Sequence, residues 1–168
     1  MIPIITLIIS FIFDGLLTNY LPYLVQDLSY FTPLFTVTSI FIIYPFYRKN
    51  ERSYYITLFV LGFLYDLFYT NLLFFNASIF VMIGFISIIL QRTFNLGFIK
   101  NIIFVVFIIS LYEGIGCFFL WLYHIVPITI PSIIYKISHS LLLNIIYVEV
   151  VYFVYQIIPK KYKKISLN

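Results

Sequence analysis

The chain has 168 residues, 63% of them hydrophobic and 10% charged, with a mean hydropathy of +1.08 and a net charge of +4 at neutral pH. Soluble domains carry about 25% charged residues, so a soluble enzyme or nucleic-acid-binding domain is excluded and an all-α integral membrane protein is expected. Cys117 is the only cysteine, which excludes an internal disulfide and a cysteine-based metal site.

Crossing the hydrocarbon takes about 20 apolar residues in a helix. Six segments meet that requirement, at about 2–24, 30–47, 54–73, 76–91, 101–123 and 134–157, forming one domain over 1–168. The first has no Lys or Arg ahead of it and no Ala-x-Ala-like site after it, so it reads as a retained helix rather than a cleaved signal. Along it Ser10, Asp14 and Thr18 recur every four residues on one stripe. In the third, Tyr55, Phe59, Gly62, Asp66 and Tyr69 follow a 4-3-4-3 rhythm, which places Asp66 with a glycine and two tyrosine hydroxyls. In the fifth, Ser110, Glu113, Gly114, Cys117, Trp121 and His124 share a face. The sixth carries Lys136, Ser140, Asn144 and Tyr147 on one face and Glu149 on another.

Charge sets the orientation. With six spans, Arg48, Lys49, Arg52, Arg92, Lys100, Lys160, Lys161, Lys163 and Lys164 all fall on one side, and Lys136 alone falls near the other. Both termini are therefore expected in the cytoplasm. The basic tail at 159–168 is expected to stop translocation and to contact anionic lipid through Lys160, Lys161, Lys163 and Lys164. The prolines lie near span ends, and no internal repeat stands out: Phe13-Asp14-Gly15 and Tyr112-Glu113-Gly114 look alike by chance. The bias toward Ile, Phe, Tyr, Asn and Lys, with Ala77 as the single alanine, fits an AT-rich genome and is no argument for an aromatic ligand cage.

Asp14, Asp66, Glu113 and Glu149 fall near the centres of spans one, three, five and six. Each costs about 2.5–3.5 kcal/mol at mid-membrane, so Asp14, Asp66 and Glu113 are expected to point into the bundle rather than at lipid. No Lys or Arg lies at their depth. Polar glue between helices, with Tyr, Ser, Thr and Asn as partners, accounts for them; contact with a partner or ligand is the other reading, and a proton relay lacks the ladder of acids or histidines it needs. His124 and His139 have none of the spacings of a zinc site. There is no G-x-S-x-G, P-loop or C-x-x-C, so neither an enzyme nor a cofactor is expected.

Spans two to four resemble the rod-shape-determining membrane protein family of bacteria, MreD. The likeness rests on Pro33-Leu-Phe-Thr-Val-Thr-Ser39, on the turn Pro45-Phe-Tyr-Arg48, and above all on Phe59-Val-Leu-Gly62-Phe-Leu-Tyr-Asp66-Leu-Phe-Tyr69-Thr70 with its G-x-x-x-D. The resemblance implies a non-enzymatic component of the cell-elongation machinery in the bacterial cytoplasmic membrane. It would act beside MreC, with MreB, RodA and a class B penicillin-binding protein. It also implies a bundle similar to the substrate-binding subunits of energy-coupling-factor (ECF) transporters. A vitamin-binding subunit of that kind is the rival, although span one lacks the Ala-x-x-x-Ala patch such a subunit would carry. Another small proton- or solute-coupled transporter is a further alternative.

Overall fold

The computed structural model describes residues 2–24, 32–70, 72–93, 98–122 and 129–157. Within them are six helices: α1 (Ile2–Leu24), α2 (Phe35–Tyr47), α3 (Glu51–Tyr69), α4 (Phe75–Thr93), α5 (Phe98–Leu122) and α6 (Ile130–Ile157). The described residues contain no strand. Four helices, α1, α4, α5 and α6, are long and apolar enough to cross a membrane. The outer faces of α1 and α6 bear Ile4, Ile8, Phe13, Ile134, Ile146 and Phe153, each close to half exposed or more, an apolar surface of the kind that faces lipid.

α2 is the hub, in contact with each of the other five helices. It is apolar or hydroxylic on every side, and Phe35 to Tyr44 are all buried, as an all-round apolar helix requires. Around it the chain folds as consecutive hairpins, α1 with α2, α3 with α4 and α5 with α6. At the end bearing the 48–53 loop, Glu51 accepts from Tyr44 Oη at 2.9 Å and pairs with Arg92, which ties α2, α3 and α4 together.

Three boundaries differ from the sequence reading. α2 begins at Phe35 rather than near residue 30, and its 13 residues make it the shortest of the six. Residues 32–34 are non-helical, and Pro33 and Leu34 are buried. α3 starts at Glu51 because the Asn50 side chain accepts from Ser53 N at 3.1 Å, and it ends at Tyr69 because Thr70 is extended. α6 starts at Ile130, with Pro131 in the first turn, where its missing N–H costs nothing.

The inward face of α3 also differs. The buried residues are Tyr54, Leu58, Leu61, Gly62, Tyr65 and Asp66, while Phe59 is 45% exposed. Gly62 and Asp66 of the expected stripe are buried, while Tyr54, Leu58, Leu61 and Tyr65 take the place of Tyr55, Phe59 and Tyr69. Gly62 fixes this orientation. A Cβ there would stand 2.5 Å from Ala77 Cα and 2.7 Å from Ala77 N, so α3 and α4 meet backbone to backbone at this point.

Candidate functional site

A helix leaves its first N–H groups without partners, and its N-terminus carries a partial positive charge. Residues that satisfy this locally are Ser, Thr, Asp or Asn at the N-cap. α2 has Leu34 there, with no side-chain cap, and α4 follows Phe74, a residue in the left-handed region at φ 65°. Both helices are capped instead by an aspartate from the preceding helix.

Asp14, the thirteenth of the 23 residues of α1, faces the start of α2. Its Oδ1 accepts from Phe35 N at 2.7 Å and its Oδ2 from Thr36 N at 2.9 Å. Asn144 of α6 completes the end: its Oδ1 accepts from Leu34 N at 3.0 Å, and its Nδ2 donates to Thr32 O at 3.0 Å. The chain thus enters α2 level with the middle of α1. Non-helical backbone beside the middle of a helix is tolerated where Pro33 and Leu34 are buried in protein and the polar groups Thr32 O and Leu34 N are met. Beside this joint, Ser10 of α1, Ser39 of α2 and Tyr147 of α6 bring their hydroxyls together at 2.6–2.7 Å, and the Tyr147 ring stacks on Phe35.

Asp66 repeats the device one hairpin later. Its Oδ1 accepts from Asn76 N and Asn76 Nδ2, both at 2.9 Å, and from Thr70 Oγ1 at 3.0 Å; its Oδ2 accepts from Ala77 N at 3.2 Å. Tyr112 of α5 donates to Asn76 Oδ1 at 2.9 Å, which brings a third helix to the joint. Gly62, one turn before Asp66, supplies the room that lets the first turn of α4 come this close. The single alanine of the chain, fully buried Ala77, is the residue against that glycine. Glycine, aspartate and alanine therefore form one joint. Gly15 plays a related part beside Asp14: a Cβ there would lie 2.3 Å from Tyr69 Oη, which donates to Phe11 O at 2.7 Å.

The expected inward orientation holds for Asp14 and Asp66, which are 2% and 1% exposed. Of the expected partner types, Thr70 and Asn76 do serve Asp66, but most of the bonds to the two aspartates come from backbone N–H groups that were not expected. Tyrosine hydroxyls do not serve Asp66; two backbone N–H groups, an asparagine amide and a threonine hydroxyl do. Asn144 joins the α2 end, while Lys136 of the same predicted face is exposed. Glu113 joins neither joint. It is half-buried on α5 near Gly114 and Gly116, which have open space beside them, and Lys136 is within electrostatic reach. Glu149 faces α5 instead of the α2 joint, next to Asn101 in the first turn of α5, and so lies toward one end of the bundle rather than at the mid-span depth expected of it. Thr70, Asn76, Ala77, Tyr112 and Asn101 were not singled out as site residues by the sequence. His124, Lys160, Lys161, Lys163 and Lys164 lie outside the described residues.

No family model, no curated protein and no solved structure matches this chain.

Proposed function

We propose that the protein is a non-enzymatic membrane component of the bacterial cell-shape machinery, of the MreD type. It crosses the cytoplasmic membrane six times with both termini inside, in a bundle of the energy-coupling-factor substrate-subunit kind. It works by helix contacts with MreC, in a wider assembly with RodA, a class B penicillin-binding protein and MreB, and so supports lateral peptidoglycan synthesis. The observation that carries this reading is the joint built from Gly62, Asp66 and the start of α4. The element that most resembles the family is spent on holding helices at fixed positions, as a scaffold needs, and its carboxylate is buried with both oxygens engaged by α4.

The groove of about 440 Å³ between the 72–75 turn and α5 also fits a scaffold better than a vitamin site. Leu72, Leu73, Phe74, Ile79 and Phe119 line it, with Ser78 as its one hydroxyl. A polar ligand needs several convergent hydrogen-bonding groups to fix it. The test is depletion in the host. Rounded or swollen cells with misplaced wall synthesis are expected, with no rescue by added vitamins. Normal shape, together with growth restored by a supplemented vitamin, overturns the scaffold reading in favour of a substrate-binding subunit.

A further inference from the structure

Asn101 lies in the first turn of α5 and is 2% exposed, yet neither its Oδ1 nor its Nδ2 makes a hydrogen bond of ordinary geometry; the Glu149 carboxyl is the polar group within its reach. On α6 the Glu149 carboxyl lies beside it, with Oε1 enclosed and equally without a partner of ordinary geometry. Unmet pairs of this kind are rare because each enclosed polar group forfeits its hydration. Asp14 and Asp66 differ, since both oxygens of each accept at least one hydrogen bond. Glu149 is only half-buried overall, because it stands at the rim of an outward stripe of Leu142, Ile146, Val150 and Phe153, each more than half exposed. No described cation reaches it: the one ion pair among the described residues is Arg92 with Glu51, and Lys136 is 13 residues away on the same helix, about 20 Å along its axis.

The geometry points to Glu149 and Asn101 as a recognition point, at the end of the bundle where α5 begins, for a partner transmembrane helix that carries a lysine or arginine at that level. This rests on the reading that the protein works by helix contact. A lysine ammonium offers three donors and an arginine guanidinium five, enough to serve the Glu149 carboxylate and Asn101 Oδ1 together. The long stem of either residue packs along apolar surface while its head reaches the acid. Ile146, Val150 and Phe153, spaced by four and three, give the ridge against which a second helix seats. A bound metal ion fits less well. A hard cation takes six or more oxygens, and the unpartnered oxygens enclosed here are two.

The experiment uses the full-length protein in its native membrane, with a photo-crosslinking residue placed at position 150 and, as control, at position 60 on the exposed face of α3. One adduct of defined size is expected from position 150 and none from position 60. Glu149→Leu should reduce it at least tenfold. Glu149→Gln, which keeps the shape and serves as the folding control, should reduce it several-fold. Mass spectrometry should find a Lys or Arg within the partner's span, and exchanging charges, Glu149→Lys here with an acid at that partner position, should restore the adduct. An adduct indifferent to Glu149→Leu, a partner span without a basic residue, or crosslinks to lipid alone would each overturn the contact. If depletion rounds the cells while position 150 stays silent, the scaffold reading survives and this contact fails. If a Glu149-dependent partner with a basic span lies outside the wall machinery, the contact stands and the scaffold reading fails.

Discussion

Replacing Asp66 separates geometry from charge. In Asp66→Leu, four donors lose their acceptor. Two of them have somewhere else to go: Thr70 Oγ1 already approaches Asp66 O, and Asn76 Nδ2 lies 3.4 Å from Thr70 Oγ1. The N–H groups of Asn76 and Ala77 have no substitute, since they are buried at the start of α4 with Gly62 pressed against them. An orphaned buried donor costs about 1–3 kcal/mol in a protein core, and polar contacts between membrane helices fall at about 0.6–2 kcal/mol. Two orphans therefore cost roughly 2–4 kcal/mol. Asp66→Asn keeps an oxygen for Asn76 N but turns an NH₂ group toward Ala77 N, so it loses one bond, about 1 kcal/mol. At about 3 °C per kcal/mol for a chain of this size, the Tm should fall by roughly 10 °C for Leu and about 3 °C for Asn. The melt can be followed in detergent by the fluorescence of Trp121, the only tryptophan. Hydrogen exchange should quicken at the amides of Asn76 and Ala77 in the Leu variant alone. Equal losses for Asn and Leu in folded protein would mean that charge matters and the capping geometry does not. No loss for Leu would refute the cap altogether.

The remaining predictions concern neighbouring positions. Gly62→Ala drives a Cβ into the α4 backbone at 2.5 Å and should lower the Tm at least as much as Asp66→Leu, whereas Gly114→Ala, in open space, should be neutral or gain up to about 1 kcal/mol in helix propensity. Asn144→Leu orphans Leu34 N and Thr32 O and should cost about 2 kcal/mol. Combined with Asp14→Asn it should deviate from additivity by at least 0.5 kcal/mol, because both residues hold one helix end; strict additivity in chemical denaturation would argue against a shared joint. A single cysteine at Asn50, in a Cys117→Ser background, should resist an impermeant thiol reagent applied outside intact cells, and labelling there would reverse the proposed orientation.

Much of the helix pattern was legible in the sequence because apolar length and charged breaks report it directly. The inward stripe of α3 is legible at Gly62 and Asp66 but not at its flanks, since Tyr55 and Tyr54, or Phe59 and Leu58, do not differ in hydropathy enough to set a rotation. The Gly62 contact with Ala77 sets it, and that depends on a helix ten or more residues away. The start of α2 is not legible either, because no charged residue separates Thr32, Pro33 and Leu34 from the apolar run that follows. Yet a sequence signal for the caps existed. Leu34 and Phe74 are poor N-cap residues, while Asn50 before α3 is a good one. Two helix starts without a cap and two buried aspartates without a cation are complementary deficits. Only the identity of the pairs, Asp14 with α2 and Asp66 with α4, required the fold.

That complementarity bears on how the four acids divide. A carboxylate facing two or three helix N–H groups is stabilised by charge-assisted hydrogen bonds and by the helix dipole, so Asp14 and Asp66 make sense without any partner. The hairpins they hold, α1 with α2 and α3 with α4, are accounted for from within. Glu113 and Glu149 have no such partner among the described residues, and both belong to the third hairpin, α5 with α6. That hairpin also has the two glycines with open space beside them, and the apolar stripe that ends at Phe153. Thr36 Oγ1 of α2 and Ser87 Oγ of α4 are also enclosed without a partner of ordinary geometry, so the division lies in the four acids: those of α1 and α3 each cap a helix, and those of α5 and α6 do not. The proposed helix contact therefore falls on α5 and α6, which carry the two of these acids that cap no helix.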